Sequence, residues 1–135
     1  MAAARRGISA HIVMPDNAPA VKKAAVEAYG GRVIACEPTL AARESTLAAV
    51  VAAEGAHVVH PYDDARVIAG QGTIGLELHE QLKDMDTVVV SVGGGGQLAG
   101  IAIALTALRP DITVMAAEPA GADDAFRSLG LGYRV

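Results

Sequence analysis

The sequence predicts an α/β chain, a doubly wound, mostly parallel sheet. Three observations carry that expectation. Short Val/Ile-rich runs alternate with longer Ala/Leu-rich runs along the whole chain. The β-branched runs are continuous rather than alternating, as in strands covered on both faces. A helical stretch lies between successive runs, and parallel neighbours need such crossovers.

The elements follow in order. Ala2 to Arg6 reads as the last turn of a helix, and Ile8 to Met14 as a strand closed by Pro15-Asp16-Asn17. Ala18 to Tyr29 is a helix with Pro19 in its first turn and Gly30-Gly31 as its stop. Arg32 to Cys36 is the second strand. Thr39 caps a helix over about Leu40 to Ala53, which Gly55 ends. His57 to His60 reads as a third strand and Pro61 to Asp64 as a turn. A helix runs from about Gly72 to Leu82, and Thr87 to Val92 is the clearest strand. Gln97 to Leu108 is a helix stopped by Pro110. Ile112 to Ala117 is a strand, and Ala122 to Ser128 opens one more helix. The turn near Pro61 divides two lobes, residues 1–61 and 62–135.

Composition narrows the function classes. Of the 135 residues, 52% are apolar, which supplies a core and excludes a disordered chain. A net charge of −4, with no basic stripe, offers nothing to nucleic acid or an anionic membrane. No apolar run reaches the roughly 20 residues that cross a bilayer, and no signal peptide is visible. Cys36 is the only cysteine, so no internal disulfide forms and a cytoplasmic setting is expected.

Four consecutive glycines, Gly93 to Gly96, join the Thr87–Val92 strand to the Gln97–Leu108 helix. A strand that ends in glycines and opens a helix presents free N–H groups at the positive end of the helix dipole. Three readings are open. One is a tight packing turn. A second is a dinucleotide site, with Gly94, Gly96 and Ala99 as G-x-G-x-x-A and Glu118, at the end of the next strand, on a ribose hydroxyl. The third is a nest for one phosphate monoester.

Three blocks carry a family resemblance: Ala69-Gly70-Gln71-Gly72-Thr73-Ile74-Gly75-Leu76-Glu77, Val90-Ser91-Val92-Gly93-Gly94-Gly95-Gly96, and Leu98-Ala99-Gly100-Ile101-Ala102. With Ile12 to Pro19, Lys22 to Gly31 and His60 to Asp64, they resemble the serine/threonine dehydratase and serine racemase family. These are pyridoxal-phosphate enzymes of the tryptophan-synthase-β fold type, and the likeness covers about residues 7 to 129. It implies parts of a small and a large lobe. It implies that Gly93, Gly94, Gly95, Gly96 and the N–H of Gln97 bind the cofactor's phosphate. It also implies a cation site (Mg²⁺, Ca²⁺ or Mn²⁺) at Glu118, the Ala122 carbonyl and Asp124, where oxygen donors suit a hard ion. The bare residues allow a capped helix start there instead.

The same resemblance places the Schiff-base lysine before residue 1. Lys22, Lys23 and Lys83 are the three lysines present, and none lies in a matching motif. The chain is therefore expected to be a fragment with no catalytic residue of its own. The intact enzyme would act on a small amino acid and assemble as a homo-oligomer. It would be an ammonia-lyase, giving a keto acid and ammonia from a hydroxy amino acid, or a racemase. The rivals are an NAD-dependent oxidoreductase and a non-catalytic module that pairs with another subunit.

Overall fold

The computed structural model describes residues 1–135, which form two compact units, Met1–Val58 and Val59–Val135. The first holds α1 (Ala2–Arg5), β1 (His11–Pro15), α2 (Ala20–Ala28), β2 (Arg32–Cys36) and α3 (Leu40–Glu54). The second holds α4 (Ala65–Gln81), β3 (Thr87–Ser91), α5 (Gly96–Leu108), β4 (Thr113–Ala117) and α6 (Asp124–Leu131).

Each unit contains one parallel strand pair joined through a helix. In the first, β1 pairs with β2 from His11↔Arg32 to Pro15↔Cys36. In the second, β3 pairs with β4 from Thr87↔Thr113 to Ser91↔Ala117. The parallel α/β class predicted from the Val/Ile runs is present in both.

Local chemistry sets the helix ends. The Thr39 hydroxyl accepts the Ala42 N–H at 3.1 Å, and Gly55 closes α3 in the left-handed conformation. Asp64 caps α4 by accepting the Arg66 N–H at 2.8 Å. The Arg66 guanidinium returns to the same carboxylate at 2.8 Å and holds Asp64 well below the usual carboxylate range. The second unit's core is Val90, Ile101, Leu105 and Ile112, with Met85, Val88, Leu98 and Val114 packed on it.

Three sequence expectations need correction. Residues 57–60 form no strand, because the sheets contain only β1 to β4 and no neighbour pairs with this segment. The helix expected from Gly72 begins at Ala65, seven residues earlier, because Asp64 caps it and Gly72 and Gly75 lie on a packing face against α5. The first strand begins at His11 rather than Ile8. The Ile8 N–H is taken by the Ala3 carbonyl at 3.0 Å, so Ile8 belongs to the exit from α1.

Candidate functional site

The site lies in the second unit, where β3 gives way to α5. The Val92 N–H still donates to the Ala117 carbonyl at 3.0 Å, and there the ladder stops. The chain then bends through Gly93 and Gly94 to Gly95, which precedes the helix with φ +86°. That backbone conformation is costly for a residue with a Cβ. It also leaves α5 with no side-chain cap.

The consequence is a run of free donors. No protein acceptor takes the N–H groups of Gly93 to Leu98, and the first helical bond is Ala99 N–H to the Gly95 carbonyl at 2.9 Å. Gly96 is buried all the same. Six successive amides are thus free at the start of a thirteen-residue helix, where the dipole is worth about half a positive charge. A cavity of about 350 Å³ opens onto them, bounded also by Pro61, Tyr62 and Gln71. No basic side chain lines it. Its affinity for an anion therefore rests on main-chain donors.

Close helix contact holds the helix that carries those donors. A methyl on Gly72 would lie 3.2 Å from the Gly100 carbonyl oxygen. One on Gly75 would lie 3.0 Å from Ala104 Cβ and 3.1 Å from the Ile101 carbonyl oxygen. One on Gly100 would overlap the Ile68 carbonyl oxygen. α4 and α5 therefore meet backbone to backbone, which holds the N-terminus of α5 at the cavity.

Tyr62 forms the opposite wall. Its ring lies where a Cβ on Gly94 would be, and its carbonyl oxygen lies 2.7 Å from where a Cβ on Gly96 would be. His60 shapes this turn: its Nδ1 accepts the Asp63 N–H at 2.8 Å and the Tyr62 N–H at 3.4 Å. The two rings meet edge to face, 4.6 Å between centroids.

The segment after β4 is arranged differently. Both Glu118 carboxylate oxygens accept N–H groups of α6, Oε1 from Ala125 at 3.2 Å and Oε2 from Phe126 at 2.9 Å. Ala122 donates its N–H to the Pro119 carbonyl at 2.8 Å, and Asp124 is the first residue of α6. No group of three or more His, Cys, Asp or Glu side chains is disposed to hold a metal. As it stands, the Glu118 carboxylate caps the start of α6.

The model of the family described as "Pyridoxal-phosphate dependent enzyme" matches residues 1–134. The chain belongs to that family. It is 51% identical over 134 residues to a β-hydroxyaspartate dehydratase of Paracoccus denitrificans, covering 99% of this chain and 42% of the relative. It is 47% identical over 132 residues to a serine racemase of Arabidopsis thaliana, covering 98% and 40%. Among solved structures it superposes on maize serine racemase with a TM-score of 0.96 and 44% identity, covering 99% of this chain and 41% of that one. The chain thus spans about two fifths of the length of these relatives.

Family membership does not favour the nicotinamide alternative, and the geometry is in line with that. Both Glu118 oxygens already accept N–H groups of α6. The Tyr62 ring also covers Gly94, where a dinucleotide's pyrophosphate would need close approach.

Sequence reading missed Tyr62 and Gln71 as cavity residues. Only the lack of side chains at both Gly94 and Gly96 hinted that some other group occupies that space.

Proposed function

We propose that the amides of Gly93, Gly94, Gly95, Gly96 and Gln97 hold the phosphate of pyridoxal phosphate. We further propose that the chain is part of a lyase or racemase acting on a β-hydroxy α-amino acid. The single observation behind this reading is the run of unpaired N–H groups at the start of α5. They can neutralise a phosphate dianion by hydrogen bonding without a lysine or arginine. Bound there, the cofactor would supply an electron sink for loss of the substrate's α-proton. The chain's own part is to anchor and orient: α4 fixes α5, and α5 presents the donors.

Serine, threonine and β-hydroxyaspartate share the group that β-elimination expels, a hydroxyl on the β-carbon. The two compact units are read as portions of the small and large lobes. A homo-oligomer in the cytoplasm is the proposed setting of the whole enzyme. No helix here is long and apolar enough to cross a membrane.

Pyridoxine 5′-phosphate tests the cradle without the complication of an aldehyde that reacts with lysines. Titrated into the chain, it is expected to shift the amide resonances of residues 93–98 in an NMR spectrum. Shifts confined to other residues would reject the reading.

Glu118, the Ala122 carbonyl and Asp124 are proposed as donors to a divalent cation. Two carboxylates and a carbonyl have the hard-oxygen chemistry such an ion takes. Each Glu118 oxygen accepts one N–H and keeps a second acceptor position. EDTA is then expected to lower the melting temperature, and Asp124→Ala to remove that sensitivity. An unchanged melt in EDTA would leave Glu118 as a helix cap alone.

A further inference from the structure

Resting on that phosphate reading, we propose that Tyr62 is a positioning and specificity residue of the cradle. It fixes the glycine loop so that the amides face one phosphoryl group, and it denies room to a second.

Tyr62 meets the loop at two points. Its ring covers Gly94, and its main chain approaches Gly96: a methyl there would lie 2.9 Å from Tyr62 Cα and Cβ as well as 2.7 Å from its carbonyl oxygen. Gly94 and Gly96 are thus the positions where the loop receives Tyr62, while nothing lies within 4 Å of a methyl on Gly93 or Gly95. The glycines therefore divide into two roles. Gly95 supplies the left-handed bend into α5. Gly94 and Gly96 supply a seat for another part of the chain.

Tyr62 is itself held. His60 Nδ1 accepts the Asp63 and Tyr62 N–H groups, and the His60 ring stands against the Tyr62 ring. Two residues on, Asp64 starts α4, whose glycine face packs on α5. The loop is consequently braced from both sides by one continuous segment, with Tyr62 on its N-terminal end and α4 behind the helix it opens.

Two consequences follow. An otherwise loose glycine run is pre-organised, so less conformational entropy is lost when an anion binds. The space over Gly94, which a linked second phosphate needs, is filled by an aromatic ring, and this disfavours pyrophosphate esters by exclusion.

The test uses the full chain, with pyridoxine 5′-phosphate and NAD as probes and calorimetry as the readout. The parent chain is expected to bind pyridoxine 5′-phosphate and reject NAD. Tyr62→Phe keeps the ring and is expected to match it on both probes. Tyr62→Ala is expected to bind pyridoxine 5′-phosphate about tenfold more weakly and to narrow the preference over NAD. If Tyr62→Ala does not fold, Tyr62→Leu carries the same two expectations. Thermal melts supply an independent check. Gly94→Ala should destabilise the parent chain but be tolerated when combined with Tyr62→Ala, because the clash is then gone. An alanine or leucine variant with parent affinity and parent selectivity overturns the role of Tyr62 and leaves the cradle standing. So does a Gly94→Ala penalty of the same size in both backgrounds. A Phe variant as impaired as the Ala variant also overturns it, since the hydroxyl rather than the ring would be responsible. A parent chain that binds no pyridoxine 5′-phosphate overturns the cradle reading and this inference together.

Discussion

The molecule contains the same strand–turn–helix–strand arrangement twice, and only one copy offers an anion site. In both, five residues of one strand pair in parallel with five of the next. The difference lies in the turn. After β1 the chain reads Asp16-Asn17-Ala18-Pro19, and the free donors there, those of Asn17, Ala20 and Val21, are never more than two in succession. The Asp16 N–H goes to Cys36, the Ala18 N–H to Pro15, and Pro19 has no N–H to offer. Asp16 adds a negative charge to the turn, and Lys23 Nζ donates to the Asp16 carbonyl at 2.6 Å. After β3 the turn is four glycines, and six amides in succession stay unpaired. Topology supplies a helix N-terminus in both places. The accounting of N–H groups makes one of them a cradle.

The comparison would be sharpened most by loosening what lies behind the glycine turn. Leu105 is 0% exposed at the centre of the second unit's core. Leu105→Ala is expected to cost about 2–5 kcal/mol in chemical denaturation. Gly100→Ala attacks the same support from the helix contact, because its methyl would overlap the Ile68 carbonyl oxygen and lie 2.7 Å from Gly72 N. Backbone cannot step aside as a side chain can, so a loss of about 1–3 kcal/mol is expected. Pyridoxine 5′-phosphate binding should weaken with it as α5 tilts away. Retained affinity in a destabilised Gly100→Ala chain would break the link between helix packing and donor alignment.

Gly95→Ala separates the turn from its support. Nothing lies within 4 Å of a methyl there, so no contact is lost or forced. The cost comes from φ +86°, about 1–2 kcal/mol for a residue with a Cβ. Relief of that strain would rotate the amides at the helix start. The expected outcome is a modest fall in melting temperature with a much larger fall in phosphate affinity. Equal, small effects on both would mean that the cradle does not depend on this bend.

How much of this was legible in the sequence follows from the same distinction. β2 was legible residue for residue, because the short Val33-Ile34-centred run between Gly31 and Pro38 is too short for a helix and has no competing pattern. Thr39 and Gly55 gave both ends of α3 through local cap chemistry. The start of α4 was not legible. Gly70, Gly72 and Gly75 lower helix propensity, and only the approach of α5 turns Gly72 and Gly75 into a packing face. His57 to His60 look like a strand locally, but a strand also needs a partner, which is a tertiary fact. At the site, Gly93 to Gly96 announced themselves as a backbone donor set. Tyr62 did not, because its contact with Gly94 joins residues far apart in the chain.

The smallest expected effect concerns the cap that places Tyr62 and α4 in sequence. Asp64 accepts the Arg66 N–H and pairs with the Arg66 guanidinium, and its side chain is 18% exposed. The side-chain hydrogen bond from Arg66 is the main cause of its lowered pKa. A carboxylate whose folded pKa is depressed stabilises the fold above its unfolded value, about 4, and loses that contribution as pH falls through the folded one. Asp64→Ala is therefore expected to lower the melting temperature by a few degrees at neutral pH. The gap between parent and variant should hold down to about pH 4 and close only in stronger acid, where Asp64 protonates. α5 has no side-chain cap, so its start carries no such acid dependence of its own. If phosphate affinity nevertheless tracks the Asp64 titration, the amides of the glycine loop feel the first turn of α4 directly, and the two ends of the brace act as one unit.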